Sequence, residues 1–121
     1  MTPRDADCAR LAAAMGWRYL DENYPFMPNA EGAFVFVRDE RDGMETWIHL
    51  PAPDAPLGDR MRFVGELAEA LGCKWGDIEF SAGNNVVIFR TPFNAHQFQG
   101  EAPDLAHAAV RAAIAAKGAT T

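Results

Sequence analysis

The segment from Asp77 to Thr91 constrains the fold more than any other part of the chain. It reads as two short strands joined at Ala82–Asn85, where glycine and asparagine tolerate a positive φ. In the second strand, the consecutive residues Val86–Phe89 put bulky apolar side chains on both faces. A strand that is apolar on both faces lies inside a sheet that is covered above and below. We therefore expect helices on both sides of the sheet.

Three other segments have the period of an amphipathic helix and carry helix-start or helix-stop residues at their ends: Pro3–Met15, Leu57–Leu71 and Pro103–Gly118. Thr2 is placed to cap the first helix, and Gly16 and Gly72 are placed to end the first and second. Asp104 complements the positive end of the third helix, whose wide alanine-rich face suits a flat sheet.

A second hairpin lies between the first two helices. Its strands are Phe34–Val37 and Met44–Leu50, and a polar connection ending in Asp42-Gly43 joins them. A short additional strand is an option around Arg18–Leu20. The element order is then α-ββ-α-ββ-α, which predicts an α+β domain spanning residues 1–121, with a mainly antiparallel sheet in a three-layer α-β-α sandwich.

The composition narrows the classes of function. The net charge of −6 repels a phosphate backbone, so direct binding of nucleic acid is disfavoured. The two cysteines, Cys8 and Cys73, have no metal-ligand spacing and are expected to be reduced, buried side chains, so we expect no metal and no other cofactor. No stretch is long and apolar enough to span a membrane, and the amino terminus lacks the apolar core of a signal peptide. We therefore expect a cytoplasmic protein.

Two segments are predicted to be aromatic-rich loops: Tyr19–Gly32 and Phe93–Glu101. Their side chains either fold back to seal an edge of the sheet or form a binding surface. Under the second interpretation, the candidate binding residues are Tyr24, Phe26, Asn94, His96, Gln97 and Phe98. A catalytic role for His96, His49 or His107 has no support, because no acid or nucleophile lies at a suitable spacing.

The two ends of the chain resemble a known family. Met15-Gly16-Trp17 follows the first helix, and Ala109–Ile114 lies in a last helix introduced by Glu101-Ala102-Pro103. In these features the chain is similar to the small phage ABA-sandwich domain proteins, which occur in phages and prophages. The resemblance implies a mixed sheet between helices and carries over no catalytic residue.

The function expected from these observations is that of a non-enzymatic phage or prophage accessory protein. It would bind a host or phage protein in the host cytoplasm, and one role considered is to blunt a defence system. A homo-oligomer is an open alternative to a monomer. Aromatic side chains in two loops are the anchors that such interfaces use. The alternative is a small-molecule-binding or sequestering protein with a pocket between the two loops. An enzyme is not expected, because the chain contains no recognisable catalytic motif.

Overall fold

The computed structural model of the chain describes residues 2–20, 34–39, 45–73, 78–81, 85–90 and 97–118. These residues form three helices and six strands, which confirms the α+β class. In chain order the elements are α1 (Pro3–Met15), β1 (Arg18–Leu20), β2 (Phe34–Asp39), β3 (Glu45–Leu50), α2 (Leu57–Ala70), β4 (Ile78–Ser81), β5 (Val86–Arg90), β6 (Gln97–Glu101) and α3 (Leu105–Gly118).

The strands form two antiparallel sheets, with the orders β1-β2-β3 and β4-β5-β6. Both predicted hairpins are present, as the pairs β2–β3 and β4–β5. Strand β5, which the sequence predicts to be an interior strand, is the central strand of the second sheet. The prediction of a single sheet is not met, because the described strands form two sheets in the order α-βββ-α-βββ-α. Each sheet is a predicted hairpin with one further strand, β1 in the first and β6 in the second.

The prediction of a loop over Phe93–Glu101 is wrong for its last five residues. Gln97–Glu101 is strand β6, which pairs with β5 so that Phe98 lies opposite Phe89 and Gly100 opposite Val87. Only Phe98 and Gly100 face inward, and glycine gives no apolar signal, so the alternation expected of a strand is hard to see in QFQGE. The rest of the predicted loop, 93–96, lies outside the described residues.

The capping residues act largely as predicted. The Thr2 hydroxyl accepts a hydrogen bond from the Asp5 backbone N–H at 3.2 Å, and Gly16 ends α1 with φ 74°. Helix α3 begins at Leu105, two residues later than predicted, because Asp104 caps it. The Asp104 Oδ1 accepts a hydrogen bond from the His107 backbone N–H at 2.9 Å, as an N-cap residue does.

Helix α3 is the centre of the structure. Every side chain from Leu105 to Val110 is buried, and the helix contacts α1, α2, β5 and β6. Its backbone lies very close to β6. A Cβ on Gly100 would overlap the Ala108 carbonyl oxygen and the Ala112 backbone nitrogen. The wide alanine face therefore lies on the sheet as predicted, with a glycine at the tightest point.

The buried apolar residues form one cluster, drawn from all three helices together with β3 and β5. Cys8 and Cys73 are both buried and neither is part of a disulfide, as predicted. Burial raises the pKa of the Cys8 thiol to about 12, so that thiol is not ionised at neutral pH. Within the described ranges, no helix is long and apolar enough to cross a membrane.

In strands β3 and β5, one face is well buried where burial is described. In β3, Ile48 and Leu50 are buried whereas His49 between them is exposed. In β5, Val87 and Phe89 are buried whereas Val86 and Ile88 are half-buried. The prediction that both faces of the β layer are fully covered is therefore not met by these strands.

Candidate functional site

Among the residues that the structure describes, a group of six polar side chains comes together between α1 and α3. We call it the α1–α3 polar cluster. Its members lie three or four residues apart on each helix, so they project from one face of α1 and one face of α3. They are Arg4, Asp7, Arg10, Asp104, His107 and Arg111.

One half of the cluster is the pair of Arg4 and Asp104. The Arg4 Nε donates to the Asp104 Oδ2 at 3.1 Å, and the Arg4 Nη2 also donates to the carbonyl oxygen of Pro51. Both side chains are largely buried, with exposed fractions of 12% and 9%. Arg4 thereby joins the start of α1 to the cap of α3 and to the chain leaving β3.

The other half of the cluster is centred on Asp7. Its Oδ2 lies 2.7 Å from the Nε2 of His107 and accepts a hydrogen bond from the Nε of Arg111 at 2.9 Å. The exposed Arg10 lies 3.6 Å from the Oδ1 of Asp7. His107 is only 4% exposed, so this pair is part of the interior.

The pKa of Asp7 is set by opposing effects. Burial raises this pKa. The hydrogen bonds from His107 and Arg111, together with their charges, lower it by a larger amount, so the pKa of Asp7 lies below its usual value. Asp7 is therefore a carboxylate at neutral pH. Because a carboxylate only accepts hydrogen bonds, the Nε2 of His107 carries the proton of this bond.

A histidine oriented by a carboxylate is one component of acid–base catalysis. In this structure, however, the Nε2 of His107 is bound to Asp7 itself, and Asp7 is in turn bound by Arg111. The neighbouring Cys8 thiol is buried and has a pKa of about 12, so it is not an activated nucleophile. The hydrogen bonds of the cluster thus join the two ends of the chain, and sequence separations of about 100 residues show how distant those ends are.

Among the described residues, the space that borders the cluster is open and not enclosed. Two open depressions of about 370 and 470 Å³ border it, and they share Arg111. In the part of the chain that the structure describes, no three His, Cys, Asp or Glu side chains are grouped so that they could hold a metal ion.

The six residues that the sequence singles out are only partly placed. Tyr24, Phe26, Asn94 and His96 lie outside the described residues, and so does the predicted convergence of the two loops. Gln97 and Phe98 lie in β6 and project to opposite faces, with Gln97 exposed and Phe98 half-buried. They therefore do not share one surface. His49 is classed as exposed, but part of its surface is covered. This partial covering, and to a smaller extent the positive charge of Arg62, lowers the pKa of His49.

The exposed Gln97 belongs to a larger surface on the second sheet. The residues of β5 and β6 that point away from the buried side form what we call the outer face: Val86, Ile88, Arg90, Gln97, Gln99 and Glu101. The three β5 residues are half-buried and the three β6 residues are exposed. The outer face therefore has a partly apolar centre on β5 and a polar margin on β6.

One edge of strand β6, which we call the free edge, has no partner among the described strands. The Ala102 backbone N–H donates to the Asn85 carbonyl oxygen, and these two residues continue the β5–β6 register. Because hydrogen-bonded pairs alternate in an antiparallel ladder, Gly100 and Phe98 bond to β5, and the backbone groups of Gln97, Gln99 and Glu101 point the other way. The Arg111 Nη1 donates to the Glu101 carbonyl oxygen at 2.7 Å on that side. Among the described strands, none pairs with this edge.

Neither the α1–α3 polar cluster nor the outer face is predicted from the sequence. Asp7 and His107 are far apart in the chain, and neither has a chemical partner nearby in sequence. The available signal was the regular spacing of Asp104, His107 and Arg111 on an otherwise alanine-rich helix. For the outer face, the signal was the alternation of Gln97, Gln99 and Glu101 with Phe98 and Gly100.

Comparison with protein-family models, with curated proteins and with solved structures gives no match for this chain.

Proposed function

We propose that this protein is a non-enzymatic binding protein that acts on another protein through the outer face of its second sheet. The observation that carries the proposal is the composition of that face. Val86 and Ile88 keep part of their apolar surface accessible in the middle of the sheet, and the glutamines of β6 border them. A partly apolar centre with a polar margin is the usual anatomy of a protein interface.

The two polar regions of the molecule support this assignment by contrast. The polar groups of the α1–α3 polar cluster bind one another, so the cluster serves the fold. The side chains of Gln97, Gln99 and Glu101 are exposed, and a partner can bind them. Protein is the favoured partner because the net charge of −6 disfavours nucleic acid.

The wider biological setting belongs to the same proposal. The resemblance of the chain ends to small phage ABA-sandwich domain proteins supports an origin in a phage or prophage, with action in the host cytoplasm. One role included in this proposal is counter-defence, in which the protein would blunt a host defence system. The α+β class and the antiparallel hairpins support that resemblance, whereas the accessible outer face of the second sheet departs from a sheet that helices cover on both sides.

Affinity capture with matched variants tests the proposed surface. The test variant is Ile88→Glu, which puts a charge in the centre of the outer face, and the control is Ala13→Glu, which adds the same charge at an exposed position on α1. We expect one defined protein to be recovered with the unmodified chain and with the control, to bind again after purification, and to be lost with Ile88→Glu. Circular dichroism establishes that both variants are folded. Equal recovery by both variants would overturn the proposal.

A further inference from the structure

We infer that a second copy of this chain pairs with the free edge of β6, so that the second sheet continues across a two-fold axis into a six-stranded antiparallel sheet. The inference rests on the proposed function, because it makes the binding surface a dimeric one. The second copy contributes half of that surface.

The first step in the argument is the composition of the edge. An edge strand offers a row of backbone donors and acceptors, and proteins usually protect it with lysine, proline or a bulge. Strand β6 contains no lysine and no proline, its only charged residue is Glu101 at the end, and the Arg111 side chain occupies the edge at the Glu101 carbonyl oxygen. No described strand pairs with the outward N–H and carbonyl groups of Gln97 and Gln99, so the second copy would pair with them.

The second step is self-complementarity. If the two-fold axis passes beside Gln99, that residue lies opposite Gln99 of the second copy, and the two exchange both backbone hydrogen bonds. Gln97 then lies opposite Glu101 of the second copy, so an amide meets each carboxylate. A parallel arrangement in register would instead bring the two Glu101 side chains together, which is unfavourable. The sequence of the edge therefore selects the antiparallel two-fold arrangement.

The third step is the size of the surface. Two strands spaced at ~4.8 Å and five residues at ~3.4 Å give the outer face on β5 and β6 a projected area of only ~160 Å². A stable protein interface buries ~800 Å² on each partner. Pairing of the two edges places both outer faces side by side in one sheet and doubles the continuous surface. The dimer thus offers a partner a continuous face of ~330 Å², twice that of a single copy, and a partner that buries ~800 Å² would also contact residues around it.

Sedimentation velocity over about 1 µM to about 1 mM, the range in which small interfaces associate, tests this inference. We expect the unmodified chain to change from monomer to dimer as the concentration rises. Gln99→Pro removes the outward N–H without removing a bond to β5, so this variant is expected to stay monomeric. Gln99→Lys, which keeps the backbone N–H but protects the edge by charge, is expected to do the same, and it supplies the result if the proline variant does not fold. Gln99→Thr keeps the N–H and adds no charge, so it should still dimerise.

The possible results separate the two proposals. A chain that is monomeric at every concentration, or Gln99→Lys dimers as strong as those of the unmodified chain, would overturn the dimer. If the chain is monomeric and Ile88→Glu still abolishes capture, the proposed function stands and only the dimer fails. If Ile88→Glu leaves capture unchanged, the proposed function fails whatever the oligomeric state.

Discussion

The two sides of strand β6 differ in how their polar and backbone groups are used. On the inner side, Gly100 lies directly against the backbone of α3, and the neighbouring α1–α3 polar cluster binds its own members. On the outer side and at the edge, Gln97, Gln99 and Glu101 are exposed. The difference teaches that polar residue types alone do not mark a functional surface. What matters is whether the fold itself already binds them.

From this comparison we expect substitutions on the two sides of β6 to affect different properties. Changes on the inner side should lower the free energy of unfolding and leave association affected only through loss of the fold. Changes on the outer side should alter association and leave the free energy of unfolding nearly unchanged.

The largest effect is expected from Gly100→Ala. The added Cβ would overlap the Ala108 carbonyl oxygen and the Ala112 nitrogen, which belong to backbone and cannot rotate away. We expect the free energy of unfolding, measured by urea denaturation, to fall by about 3 kcal/mol or more.

Gly58→Ala is the matched control for Gly100→Ala. Gly58 lies in α2, and a Cβ placed there meets no atom within 4 Å. This variant should be neutral or more stable by up to about 1 kcal/mol. If Gly100→Ala is as stable as the control, the close approach of α3 to β6 is wrong.

The next largest effect is expected from Asp7→Asn. The variant removes the charge that His107 and Arg111 bind, and His107 remains buried. We expect a loss of about 2 to 3 kcal/mol in the free energy of unfolding. Asp59→Asn, at an exposed site in the first turn of α2, should cost about 0.5 kcal/mol or less. Equal effects of the two changes would contradict an internal role for the cluster.

Acid should remove the contribution of Asp7. Its pKa is lower in the folded chain than the value of about 3.9 expected in the unfolded chain. The stabilisation is therefore complete above about pH 5 and is lost as the pH falls below about 4 and through the folded pKa. The difference in unfolding free energy between the unmodified chain and Asp7→Asn should narrow as the pH falls below about 4. A difference that widens in acid would contradict the assigned direction.

The smallest effect on stability is expected from Gln99→Lys. Its side chain is exposed on the outer face, so the free energy of unfolding should change by no more than about 0.5 kcal/mol. Thermal unfolding at low concentration measures this without a contribution from association. A large loss of stability would show that Gln99 serves the fold, and the contrast between the two sides of β6 would disappear.

Much of the fold follows from local sequence signals. The Thr2 cap, the stop at Gly16 and the two hairpins are each determined by residues close together in the chain, and the structure contains them. Asn85 has a positive φ of 51°, as the turn prediction requires. These features are predictable because their causes are local.

The candidate surfaces depend on contacts that are not local. Asp7 reads as a polar residue on the first helix until α3, about 100 residues later, brings His107 and Arg111 to it. Likewise, β6 reads as a polar loop until α3 packs on Gly100 and fixes which residues face outward. Tertiary packing thus decides both regions, and single-sequence patterns carry only part of that information.

The most direct measurement of the central contrast is amide hydrogen exchange along β6, followed residue by residue by NMR in dilute solution. The account predicts slow exchange for Phe98 and Gly100, whose backbone groups bond to β5, and fast exchange for Gln97 and Gln99, which becomes slow as the concentration rises. Uniformly slow exchange of all four amides in dilute solution would contradict it, because the chain itself would then already cover the edge.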